Sequence, residues 1–76
     1  MAYYLCLGDD SLDVAARHVT LRDAVATFRV IADDLGRIGQ RIQATVHIAA
    51  KRSECDEFPD YILYVGPRGG VRCEHA

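Results

Sequence analysis

The amino-acid sequence predicts a small α+β domain: a mostly antiparallel sheet, built in the order β-α-β-β-β, with one helix packed across one face. Three observations lead there. Apolar residues recur at three- and four-residue steps over residues 20–36, and they alternate with polar ones over residues 41–50. The other apolar stretches, Ala2–Leu7 and Tyr61–Val65, are short and bounded by turn-forming residues. With 76 residues the chain is expected to form a single domain, residues 1–76, near the lower size at which one apolar core sustains a fold, so a homodimer is an open expectation.

The first strand is AYYLCL, Ala2–Leu7, which mixes aromatic and aliphatic residues and stops at the turn signal Gly8-Asp9-Asp10. Residues 11–19 are ambiguous. Leu12, Val14 and Ala16 alternate with polar residues as in a short edge strand, while residues 13–16 also suit a helical turn; an extended connection ending at His18 and Val19 is the favoured reading. The helix follows, with Thr20 as N-cap, Asp23 three positions on in an approximate capping box, and Gly36 where a left-handed C-terminal cap is expected. Leu21, Ala24, Val25, Phe28, Ile31, Ala32 and Leu35 form one apolar stripe opposite Arg22, Arg29, Asp33 and Asp34, with Phe28 as the core plug.

Beyond a turn over residues 36–39 the period changes to two. Ile42, Ala44, Val46, Ile48 and Ala50 alternate with Arg41, Gln43, Thr45, His47 and Ala49 in a second strand. Residues 51–60 form a polar connection, where Pro59 forbids a continuous helix but leaves room for one turn before it. Strand three is Tyr61–Val65. The segment Gly66-Pro67-Arg68-Gly69-Gly70 has the glycines of a phosphate-binding loop but neither the lysine nor the Ser/Thr hydroxyl such a loop uses. It reads as a hairpin turn that returns residues 71–75 as a fourth strand.

Alternation places Tyr3, Leu5, Leu7, Ile42, Val46, Ile48, Leu63 and Val65 on the helix side. Tyr4, Cys6, Thr45, His47, Ile62 and Tyr64 fall on the opposite, uncovered face, joined by Arg72 or Cys73 according to hairpin register. Such a face suggests a partner surface or a dimer interface.

Nine basic and eleven acidic residues give a net charge of -2, which fits neither a polycation that coats duplex nucleic acid nor a bulk polyanion. The acids cluster as Asp9, Asp10 and Asp13 and as Glu54, Asp56, Glu57 and Asp60. No apolar run approaches the roughly 18 residues of a membrane span, and no signal-peptide pattern opens the chain; a soluble protein of the cytoplasm is expected. Cys6, Cys55 and Cys73 lack the spacing of a zinc site or a disulfide framework. Cys6 and Cys73 read as small core or sheet residues, and Cys55 as the thiol for any intermolecular bridge. No nucleophile, base and orienter stand in a recognisable set, so neither catalysis, a metal nor a cofactor is expected.

With the elements placed, the chain resembles the very small α+β proteins carried by phages and other mobile elements, the anti-CRISPR proteins among them. The resemblance lies in its size, the single helix over residues 20–35 on a small sheet, the closing hairpin YILYVGPRGGVRCEH and the lack of a catalytic set. It implies a non-catalytic inhibitor that binds a host nucleoprotein complex, such as a CRISPR effector, in the host cytoplasm. On that reading Asp9, Asp10, Asp13, Glu54, Asp56, Glu57 and Asp60 would face a lysine-rich nucleic-acid channel, and Tyr4 and Tyr64 would supply apolar anchors, with His47, Arg68 and Arg72 beside them. The near-neutral charge departs from wholesale DNA mimicry. Two alternatives stand beside it: a small nucleic-acid-binding or regulatory module, with tyrosines stacking single-stranded bases, and a structural homodimer or subunit.

Overall fold

The computed structural model describes residues 1–7 and 14–76. Within them the chain runs β1 (Ala2–Leu7), β2 (Val14–His18), α1 (Leu21–Gly36), β3 (Gln43–Ala49), a 3-10 turn at Arg52–Glu54, β4 (Tyr61–Val65) and β5 (Val71–His75). The strands form one five-stranded sheet in the order β2-β1-β3-β4-β5, every neighbouring pair antiparallel. The α+β class is as expected. The additional element is β2, where the sequence favoured an extended connection: Ala16 packs into the core under the helix, and the His18 Nε2 lies 2.9 Å from the Thr27 hydroxyl of α1.

The core lies between α1 and the sheet. Leu5, Ala24, Phe28, Ala32, Ala44, Val46 and Leu63 are buried there, with Phe28 fully enclosed. This is the helix stripe meeting one face of the alternating strands. Small alanines at positions 24, 32 and 44 bring the helix close to the sheet and let Phe28 fill the gap.

Both helix ends have a local cause. At the start, the Thr20 hydroxyl accepts the Asp23 backbone N–H at 3.2 Å, satisfying an otherwise orphaned donor. At the finish, the expected cap at Gly36 is displaced by three residues. Gly36 remains helical, and the left-handed residue is Gly39, at φ 75°. The Gln40 N–H reaches the Leu35 carbonyl at 2.9 Å and the Gly39 N–H reaches Gly36 at 3.1 Å, the paired bonds of a Schellman motif.

The Gly-Pro-Arg-Gly-Gly segment is a turn. Gly69 donates to the Gly66 carbonyl at 3.0 Å and Gly66 donates to Gly70 at 2.7 Å. Pro67 and Arg68 are therefore the central residues, and Gly69, at φ 84°, makes the bulge that rejoins the strands. Gly69 alone in this turn has a positive φ.

The hairpin register decides which of Arg72 and Cys73 joins the outer face. Arg72 pairs with Tyr64 and Cys73 with Leu63, so Arg72 takes the face away from the helix. Cys73, read as a small core or sheet residue, lies in the sheet and is exposed, because β5 is an edge strand.

Candidate functional site

The face of the sheet opposite α1 carries the predicted residues but is covered over part of its area, around Tyr4 and His47. Tyr4 is 5% exposed and His47 2% exposed. Tyr4 was expected as an accessible anchor with His47 beside it, and both are buried. Tyr4 packs with Ala2 and Ala49, and Val14 and Cys55 close over that cluster. His47 pairs across the ladder with Tyr4, and its Nε2 lies 3.2 Å from the Thr45 hydroxyl. Alternation assigns a residue to a face; it does not say which later segment folds over that face. Here the segment containing Cys55 does so.

That segment is the 51–60 connection, and it is tied down at three points. Its first turn closes through Glu54 N–H to Lys51 and Cys55 N–H to Arg52, at 3.0 and 3.1 Å. Cys55 is then half-buried against the Tyr4 cluster. Burial, and next the neighbouring Asp56 carboxylate, push the Cys55 thiol above its ordinary value, which lowers its thiolate fraction. Cys73 is the more exposed of the two thiols, and burial raises it above its ordinary value as well.

The connection ends at Asp60, which re-enters the sheet. Its carboxylate accepts the Ile48 N–H at 2.7 Å, and its own N–H donates to the Val46 carbonyl at 2.8 Å. Asp60 thus ties the end of the connection to β3 while remaining exposed. Asp56 accepts the Phe58 N–H at 2.9 Å, an Asx turn that orients the following residues.

Between these anchors stands Phe58, 72% exposed, with exposed Glu54, Asp56 and Glu57 around it in sequence. Met1, Val19, Val30 and Ile38 are also exposed large apolar residues, and Phe58 is the aromatic one among them. Sequence reasoning missed it because periodicity registers only residues in regular elements. The available signal was an isolated phenylalanine among acids and a proline, in a connection with no element to bury it.

The remaining predicted residues gather elsewhere. Gln43 pairs with Tyr64 and Val46 with Tyr61, so the 51–60 connection lies at one end of the sheet, and Tyr64, Arg68 and Arg72 lie at the other. Tyr64 is half-buried, and its hydroxyl donates to Glu74 at 2.9 Å; that hydrogen bond raises the phenol above its ordinary value. Arg68 is exposed at the turn, and Arg72 folds across Gly66. Asp9, Asp10 and Asp13 lie outside the described residues. Their described flanks, Leu7 and Val14, stand at the Gln43 end of the sheet, opposite the 51–60 connection.

A cleft of about 450 Å³ opens between the end of α1 and the hairpin, lined by Asp33, Arg37, Gln40, Arg41, Val65 and Val71 among others. It offers charged hydrogen-bonding groups but no nucleophile beside a base. Among the described residues no three His, Cys, Asp or Glu side chains group as metal ligands, and no helix is long and apolar enough to cross a membrane. Compared with protein-family models, curated proteins and solved structures, the chain matches none.

Proposed function

We propose that this chain is a non-catalytic protein-binding module that docks through the 51–60 connection, with Phe58 entering an apolar pocket whose rim carries lysine or arginine. The observation that carries the reading is Phe58, 72% exposed on a loop braced by Asp56, Cys55 and Asp60. Burying one phenylalanine yields about 1.5–3 kcal/mol, and a loop already held in shape loses little further entropy on binding. Glu54, Asp56 and Glu57 supply a negative rim that steers a basic partner. A nucleic-acid-binding complex is a partner of that chemistry, in keeping with the resemblance to phage-borne inhibitors; the reading rests on the loop, not on the resemblance.

The second reading, a nucleic-acid-binding module, is favoured by Tyr64 beside Arg72, with Arg68 beyond. Glu74 weakens it, since its carboxylate holds the Tyr64 hydroxyl where a phosphate would approach. The test is capture from a nuclease-treated lysate of the source cells with three baits: the parent, Phe58→Ala, and the chain with Glu54, Asp56 and Glu57 changed to lysine. A protein retained by the parent and lost by both variants supports docking through the loop. Identical retention by all three rejects it, and so does micromolar binding of single-stranded or duplex nucleic acid that strengthens in the lysine variant.

A further inference from the structure

We propose that β5 pairs antiparallel with β5 of a second copy of this chain, centred on Cys73, joining two five-stranded sheets into one continuous sheet. The inference rests on the register of the edge strand and is independent of the docking loop. β5 is hydrogen-bonded to β4 on one side, and no described strand lies beyond it. The bonds from Gly66 to Gly70 and from Ala76 to Asp60, with the intervening register, show which residues use their backbone inward. They are Gly70, Arg72, Glu74 and Ala76. By the alternation of an antiparallel ladder, Val71, Cys73 and His75 turn their N–H and C=O groups outward.

Those three residues are the ones a two-fold pairing about Cys73 would use. Cys73 meets Cys73 of the second copy and Val71 meets its His75, making about six backbone hydrogen bonds. The side chains then match. Arg72 and Glu74 share the face away from the helix, and the two-fold operation sets Arg72 opposite Glu74 of the second copy, and Glu74 opposite its Arg72. Opposite charges directly across a ladder attract, where like charges would repel. Glu74 already accepts from Tyr64, and a carboxylate has acceptor capacity for an arginine as well.

Natural edges are commonly blunted by lysines, prolines or bulges. Val71–His75 contains no lysine or proline, and no irregularity interrupts its pairing. The other edge differs: β2 pairs through a register shift, and its sequence VAARH holds no acid to answer Arg17. Pairing β5 with itself also closes as a dimer, whereas β5 on β2 of the next copy would propagate.

The test uses the full chain carrying Cys55→Ser, at tens of micromolar. Sedimentation equilibrium should give a dimer, and Arg72→Glu or Glu74→Arg should each weaken it about tenfold or more by setting like charges across both pairs. The double change Arg72→Glu with Glu74→Arg should restore it. Circular dichroism checks that each variant is folded. Diamide, which takes two electrons and two protons from a thiol pair, should link Cys73 to Cys73 of the second copy. The Cα separation of about 5.5 Å in such a pair suits a disulfide. A monomer at these concentrations, a dimer indifferent to both reversals, or a dimer that diamide does not link through Cys73 would overturn the pairing.

Discussion

Gly69 and Gly70 are neighbours of the same kind, and the backbone treats them differently. A methyl group would meet open space at either position, but only Gly69 has a positive φ, 84°. Gly69→Ala should therefore cost about 1–2 kcal/mol through left-handed strain, while Gly70→Ala should stay within about 0.5 kcal/mol of the parent; urea denaturation of each separates them. Tyr64 offers a second test. Its phenol is raised above 10.0, chiefly by the hydrogen bond it donates to Glu74. The folded state thus favours the protonated phenol: that contribution is complete below pH 10, the unfolded value, and is lost as pH rises through the higher folded value. Glu74→Ala should move the Tyr64 absorbance titration to lower pH, and an unmoved curve would remove the Glu74 contact as the cause. At this scale the sequence was legible where chemistry is local, as at Thr20, and opaque at Phe58, whose exposure depends on where its whole connection goes.

The helix was the most legible element because seven apolar positions repeat its period, and its weight falls on Phe28. Phe28→Ala should cost about 3–5 kcal/mol, a large share of what so small a domain has. A mutant with an unchanged melting temperature would mean that the stripe does not face the sheet. Its far end was misplaced by three residues because Gly36 and Gly39 are both competent to cap. The choice is made by the Gln40–Leu35 and Gly39–Gly36 bonds, which a residue count does not contain. β2 was obscure for a related reason. A five-residue edge strand with four small or polar side chains, VAARH, has little alternation of its own and is specified by its neighbours β1 and α1.

Over the whole molecule, the face opposite the helix holds the residues that alternation assigns to it but is open only in part, since the 51–60 connection returns across Tyr4. Among the described residues, Glu54, Asp56 and Glu57 belong to the 51–60 connection at one end of the sheet and Tyr64 stands at the other. The division is testable once a partner is in hand. Reversing Glu54, Asp56 and Glu57 should slow association and flatten its salt dependence, because exposed charges act by steering and are screened over about 8 Å. Phe58→Ala should mainly speed dissociation, and surface plasmon resonance at two ionic strengths reads both. The strand order carries a consequence of another kind. β1 is near the middle of the sheet although it comes first in the chain, and its partner in β3 pairs Ala2 with Ala49. That seam can form only by closing a long stretch of chain, at an entropic cost met before the ladder returns anything. The β4–β5 hairpin has no such delay. In stopped-flow experiments, substitutions in the hairpin, formed before the seam closes, should slow refolding and leave the unfolding rate nearly unchanged, and those along β1 and β3 should divide between the two rates, so the order of assembly is written in which strand sits at the centre.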